Sequence, residues 1–311
     1  MAVYLELFHS AKLRERVDAA VSLLEHCSIC PRSCNINRLA DDVGKCRTPR
    51  EAIVSSYGPH FGEEAPLVGK HGSGTIFFTN CNLRCLFCQN YSISQLGQGQ
   101  KVSKKELAYI MLFLQARGCH NINLVSPTHV VPQVLEALEL AAESGLHIPL
   151  VYNSGGYDSV ETLQILDGVI DIYMPDMKYD DDDIARDLSG VESYPEINKA
   201  AIKEMHRQTG DLEVDEEGIA QRGLLIRHLV LPHGLAGTEH IMNFISNEVS
   251  RDTYVNIMNQ YHPCYKASQI PSLNRRISST EFCEALSLAQ EAGIKRMDKI
   301  NPVRILSTSS E

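Results

Sequence analysis

Hydrophobic positions along this chain change period more than once, and the changes outline an architecture. Leu13, Val17, Ala20, Val21 and Leu24 recur at helical spacing, which predicts an amphipathic helix over roughly 11–26. A cysteine-rich knuckle from Cys27 to Cys46 follows, and then a stretch with Gly and Pro that reads as loop. In SGTIFFTN, the run from Ile76 to Thr79 is apolar and bounded by turn residues, the pattern of a buried strand. Beyond it INLV, PLVYN, IDIYM, LLIRHLVL and YVNIM are strand candidates, most of them separated by helical segments. Two helices announce their starts with capping boxes, Ser103 with Glu106 and Ser278 with Glu281, and Gly118 and Gly293 close them.

Strands alternating with helices imply a parallel sheet with helical crossovers. Six strand candidates predict an α/β fold, a partial (β/α)6 TIM-like barrel with an N-terminal helical and cysteine-rich extension. The expected division is 1–72 for the extension and 73–311 for the barrel, with an insertion over 179–222. That insertion carries the acidic run Asp180 to Asp183 and a helix begun by Pro195. It follows the fourth strand, so it is expected to overhang the site. Parallel barrels place chemistry on the loops after the strands. This directs attention to Cys81, Ser126 to His129, Asn153 to Gly156, Asp176 to Lys178, Pro232 and His262.

Composition narrows the partners. Apolar residues at 43 % and charged residues at 22 % allow a sizeable core. A net charge of −10 leaves no long basic stripe for a phosphate backbone, which disfavours nucleic acid. No apolar run reaches the ~20 residues that span a bilayer, and the N-terminus lacks the features of a signal peptide, so a cytoplasmic location without membrane contact is expected. Seven of the ten cysteines fall between 27 and 88, a clustering that points to metal rather than disulfides. Cys119, Cys264 and Cys283 stand apart and are expected to be small buried hydrophobes.

In CNLRCLFC, Cys81, Cys85 and Cys88 have C-x3-C-x2-C spacing. Three thiolates on a short loop can ligate three irons of a cubane and leave the fourth open, and the competing reading is a zinc knuckle completed by a histidine. Cys27, Cys30, Cys34 and Cys46 are four soft ligands on a segment with little apolar content of its own. Structural zinc and a second iron–sulfur cluster both fit them.

The spacing of Cys81, Cys85 and Cys88, with Phe87 before the last, resembles the signature of the radical S-adenosylmethionine (SAM) superfamily. CSICPRSC, GSGTIFFTNCNLRCLFCQNYSIS, VSPTHV, MPDMKY, AIKEMHRQTGDL, RGLLIRHLVLP and NQYHP extend the likeness over nearly the whole chain, to the pyruvate formate-lyase activating enzyme-like group. The resemblance implies a [4Fe–4S] cluster whose open iron binds SAM and whose electron cleaves it to a 5′-deoxyadenosyl radical. It also implies a low-potential donor such as flavodoxin or ferredoxin, and a protein or small-molecule substrate. Ser126, Pro127 and Thr128 occupy the place of a Gly-Gly-Glu segment that binds the methionine amino group. Asn153, Ser154, Met174, Asp176 and Lys178 stand where the activases bind SAM and a monovalent cation. Arg227 matches an arginine for the SAM carboxylate, and His262 a histidine near the adenosyl group. Met205 and His206 on the insertion helix are candidates to face the substrate. Outside this reading stand an RNA-modifying radical enzyme and a metal-binding module without turnover.

Overall fold

A computed structural model describes residues 2–298, so the last residues of the barrel segment, 299–311, lie outside the described residues. Its strands in chain order are β1 (Ala52–His60), β2 (Ser73–Phe78), β3 (Gln100–Val102), β4 (Ile122–Val125), β5 (Leu150–Ser154), β6 (Ile172–Pro175), β7 (Glu213–Val214), β8 (Ala220–Leu229), β9 (Tyr254–Met258) and β10 (Arg296–Met297). They form one sheet in the order β10-β9-β8-β6-β5-β4-β2-β1-β3, with β7 paired to β8. From β2 to β10 every neighbour on that path is parallel. The six expected strands are all present, and the sheet is an α/β partial barrel. Both capping boxes form, at Ser103 and at Ser278.

The sequence-based limits needed adjustment at several places. The first long helix is Lys12–Ser22, preceded by a separate short helix Tyr4–His9. The strand expected at Ile76 to Thr79 begins at Ser73 and ends at Phe78. The largest correction is β1, which occupies the stretch expected to be loop and pairs antiparallel with both β2 and β3. Gly58 and Pro59 in its second half disguise it. They are tolerated because β3 pairs only with Ala52 to Val54, so beyond that point β1 has no outer partner among the described residues for a proline to deny.

Side-chain alternation sets the two faces of the sheet. Tyr152, Tyr173, Leu224 and Ile226 join the large core beneath the surrounding helices. Their neighbours Val151, Ile172, Met174 and Leu225 form a second, smaller cluster on the inner face. The short helix Ala65–Val68 delivers Leu67 into this inner cluster, and Asn121 Nδ2 anchors it by donating to the Leu67 carbonyl at 2.9 Å. Two residues further along the same inward-facing register come Asn153, Asp176 and Arg227. The inner face is thus apolar at its base and polar at the carboxyl ends of the strands.

The insertion does two jobs. Helix Tyr194–Thr209 is the crossover that packs on β6 and β8, while the segment ending at Ser189 lies against the cysteine loop, donor bonds from Arg84 N and Leu86 N reaching the Ser189 and Leu188 carbonyls. Met205 is fully buried in the core and His206 lies 3.1 Å from Asp211, so neither of these substrate-facing candidates reaches the cleft. Cys119 is buried as expected, whereas Cys264 is only half-buried and Cys283 is exposed on the outer side of its helix. Because Leu67 fills the base of the barrel with no freedom to collapse inward, Leu67→Ala is expected to cost about 2–5 kcal/mol in chemical denaturation. A cost typical of a surface substitution would show that the helix Ala65–Val68 is not part of the folded interior.

Candidate functional site

A cleft of about 250 Å³ opens at the carboxyl ends of the strands. It is bordered by Cys81, Cys85 and Cys88 on one side and by Asn153, Ser154, Asp176, Lys178 and Arg227 on the other. The loop after β2 carries the cysteines. Phe87 fixes it from below, buried edge-on against Tyr179 and Tyr261 with ring centroids 6.3 and 5.9 Å away.

Hydrogen-bond donors approach all three sulfurs. Leu83 N donates to Cys81 Sγ at 3.4 Å and Ser189 Oγ to Cys85 Sγ at 3.0 Å, while Ser94 Oγ lies 3.1 Å from Cys88 Sγ. Ser189 comes from the insertion, and no signal in the sequence marks it; Ser94 closes the quoted cysteine motif. Burial, reinforced by the Cys85 charge, pushes the Cys81 thiol up to about 12. Burial also raises Cys85, against the pull of the Lys178 charge. A metal that ligates these sulfurs must therefore displace their protons.

Across the cleft, Asp176 joins two cations. Its Oδ1 accepts from Arg227 Nε at 2.8 Å and its Oδ2 from Lys178 Nζ at 2.5 Å. Arg227 Nη2 also donates to Asn153 Oδ1 at 2.6 Å, which leaves Nη1 without a partner among the described residues. Burial works against the Asp176 charge, but Arg227 and then Lys178 hold the carboxyl below the usual range. The same pairing raises Lys178 and Arg227 despite their burial. The oxygens of Asp176 and Asn153 that were expected to serve a monovalent cation are already bonded to cationic side chains.

The remaining expected residues divide. Ser126 borders the cleft with φ of 59°, a left-handed backbone that a glycine would adopt without strain. Pro127 and Thr128 do not line it. Thr128 Oγ1 donates instead to buried Asp158 at 2.7 Å, a carboxylate that also accepts from Tyr152 at 2.9 Å and Ser154 at 2.6 Å. His262 sits beside the mouth, its Nδ1 3.4 Å from Gln89 Nε2. Gly156 permits the close approach of two strand ends, since a Cβ there would fall 2.1 Å from the Asp176 carbonyl. Residues not anticipated from sequence include Glu63, Gln89, Asn90, Met258 and Gln260, which also border the cleft.

The second cysteine set borders a cavity of its own. Cys27, Cys30, Cys34 and Cys46 surround it together with Arg32, Arg38 and His129. Burial pushes the Cys30 thiol up to about 12. Gly44 makes room for one sulfur: a Cβ there would lie 2.8 Å from Cys34 Sγ. Among the described residues, no three His, Cys, Asp or Glu side chains converge on a point that one metal ion would fill. That geometry concerns a single ion; the thiolates of an iron–sulfur cubane bind separate irons and need not converge on one point.

The knuckle and the cluster loop are tied together through arginines. Arg32 Nε donates to the Asn82 carbonyl at 2.9 Å, Arg47 to the Gln95 carbonyl and Arg84 to the Lys45 carbonyl. Burial and then the Arg47 charge pull Arg84 below the ordinary guanidinium range.

Comparison with known proteins gives this geometry its context. The radical SAM superfamily model matches residues 75–212, which include the cysteine loop and the ends of β4, β5 and β6. Uncharacterized protein MJ0674 of Methanocaldococcus jannaschii is 36 % identical over 286 residues, covering 89 % of this chain and 78 % of that protein. The chain belongs to the radical SAM superfamily. Uncharacterized protein MJ0808 of the same organism is 24 % identical over 293 residues, covering 86 % and 79 % of the two chains. A crystal structure of a radical SAM methyltransferase from Sphaerobacter thermophilus superposes with a TM-score of 0.50 at 14 % identity, over 72 % of this chain and 64 % of that one. The likeness to that structure concerns the fold alone. Radical SAM proteins use a [4Fe–4S] cluster and SAM, and need a reductant such as flavodoxin or ferredoxin. No helix among the described residues is long and apolar enough to cross a membrane.

The Asp176 bridge makes a stability prediction. Asp176→Ala strands two buried cations beside each other, and is expected to cost about 3–5 kcal/mol in chemical denaturation at neutral pH. An unchanged midpoint would mean that solvent already neutralises the pair.

Proposed function

We propose that this chain is a radical SAM enzyme of the pyruvate formate-lyase activating enzyme-like group, with Cys81, Cys85 and Cys88 as the ligands of its [4Fe–4S] cluster. One observation carries the reading: the three thiols share a cleft with a lysine, an arginine and an asparagine at the ends of adjacent parallel strands. A three-thiolate loop suits a cubane with one iron left for a substrate-like ligand. When bound, the cluster supplies the electron for reductive cleavage of SAM.

The chain's own residues then have distinct tasks. Arg227 presents its unpartnered Nη1 to the SAM carboxylate, with Asp176 and Asn153 fixing the guanidinium plane. Lys178 lends positive charge to the cysteine side of the cleft. The backbone at Ser126, with Ser154 nearby, receives the methionine amino group, and Phe87 packs the loop so that water is kept from the sulfurs. His262 stands at the mouth near the adenosyl end. Pro127 and Thr128 act by shaping the loop that carries Ser126. A monovalent cation at Asp176 and Asn153 would share oxygens that already accept from Lys178 and Arg227.

The amides of Gln89, Asn90 and Gln260 border the cleft and offer the donors and acceptors that a peptide backbone uses. This favours a polypeptide glycine, the substrate class of an activase, as the hydrogen source. A net charge of −10 weighs against an RNA substrate. Cys27, Cys30, Cys34 and Cys46 hold a separate centre, zinc or a second iron–sulfur cluster.

After anaerobic reconstitution and reduction, the protein is expected to release 5′-deoxyadenosine from SAM, and Ala at any one of Cys81, Cys85 or Cys88 to abolish that release. A metal-binding module without turnover would release none. Arg227→Ala is expected to weaken SAM binding by about tenfold to a hundredfold, the worth of a bond to a charged group, while iron content stays the same. Undiminished affinity would remove Arg227 from the SAM site. Metal analysis of the triple cysteine variant reads the second centre: about one zinc per chain, or iron with sulfide, supports it, and neither metal refutes it.

A further inference from the structure

Arg38 is the most deeply buried arginine side chain in the described structure, 1 % exposed, and it has no carboxylate partner. Its fork is spent on neutral oxygens. Nε and Nη2 donate to the Pro49 carbonyl at 3.3 and 3.1 Å, and Nη1 donates to the His129 carbonyl at 2.9 Å. Carbonyl dipoles satisfy the hydrogen bonds but leave the net charge in place, and a guanidinium does not lose its proton to escape burial. A buried cation without a counter-ion is expensive, so one is to be sought among its neighbours. The neighbour is sulfur: Nη1 lies 3.9 Å from Cys27 Sγ. Arg38 borders the same cavity as Cys27, Cys30, Cys34 and Cys46, and the described lining there includes a second arginine, Arg32, and no Asp or Glu.

We infer that Arg38 is the built-in counter-ion of a net-negative tetrathiolate centre held by Cys27, Cys30, Cys34 and Cys46. The inference rests on the reading of those cysteines as a metal site and adds its charge. Four neutral thiols would give Arg38 nothing to pair with. Four thiolates around a dication, or around a cubane core of two positive charges, leave two negative charges in contact with the guanidinium. The ligand class is therefore a divalent, thiophilic ion or an iron–sulfur core bound by all four sulfurs. His129 borders the same cavity, and its Nε2–H donates to the Thr79 carbonyl at 3.0 Å, which leaves a buried Nδ1 lone pair; a site in which it replaced one cysteine around a dication would still carry one negative charge for Arg38 to face.

The test uses the full chain with Cys81, Cys85 and Cys88 replaced by Ala, so that only the second centre counts. This protein is loaded anaerobically with zinc, and in parallel with iron and sulfide, then titrated with a competing chelator. Arg38→Gln is expected to lower apparent metal affinity by about 10–100-fold, the usual loss when a partner of metal ligands is removed. Arg38→Lys, which keeps the charge and loses the fork, is expected to stay closer to the parent. Equal losses for Lys and Gln would assign Arg38 a packing role and overturn the inference, as would a Gln variant that holds metal as tightly as the parent. Should Ala at all four of Cys27, Cys30, Cys34 and Cys46 leave metal uptake unchanged, the failure lies in the assignment of the site.

Discussion

One carboxylate between two buried cations organises the cleft. Asp176 follows β6 directly and forms a parallel bridge with Arg227 of β8, so the two side chains leave adjacent strands on the same inward face. Arg227 extends the tie to Asn153 at the end of β5. Three strand ends are thereby locked into one plane of polar groups above an apolar base of Val151, Ile172, Met174 and Leu225. Lys178 and Arg227 thus stand in a cleft that is also bordered by the three cysteines and by Glu63. The hydrogen bonds among Asp176, Arg227, Lys178 and Asn153 fix the orientation of these polar groups in the cleft.

The second constraint is mechanical. The cysteine loop after β2 does not stand alone, because its main chain receives arginines from the knuckle and sends Arg84 back to the Lys45 carbonyl. On its other flank the insertion donates a serine hydroxyl to Cys85. Two segments far apart in sequence thus clamp one short loop. Disturbing the knuckle is a disturbance of the cysteine loop that borders the cleft, even though no side chain of the knuckle is among the cleft's described lining.

The legible parts of this chain are those in which a local pattern coincides with a global role. The six strands of the parallel sheet, both capping boxes and the cysteine loop follow from alternation, spacing and turn residues within windows of a dozen positions. Asp176, Lys178 and Arg227 were accessible because strand ends in a parallel sheet converge. What escaped depends on partners that sequence does not pair. Strand β1 carries Gly58 and Pro59, which contradict strand propensity. Ser189 matters only because the insertion folds back on Cys85. Thr128 carried a motif match, yet its hydroxyl is committed to Asp158, and the motif served the turn rather than the ligand. Met205 was drawn towards the substrate by its place on the insertion helix, while crossover packing turned it into the core.

Net charge illustrates the same limit from the other side. The chain as a whole is acidic, but Arg32, Arg38, Arg47 and Arg84 gather between the two cysteine sets, and Lys178 and Arg227 face the cleft. These cations are bonded inward, to main-chain carbonyls or to Asp176, and do not form the exposed continuous stripe that a polyanion requires. The segregation has a physical consequence. An acidic exterior repels long phosphate backbones at the distance where encounter is decided, whereas the buried cations act only on what has already been bound within a few ångströms, where low dielectric strengthens their pull on sulfur and carboxylate. Charge of opposite sign inside and outside therefore acts at two separate ranges, the net charge on encounter and the buried cations on contact.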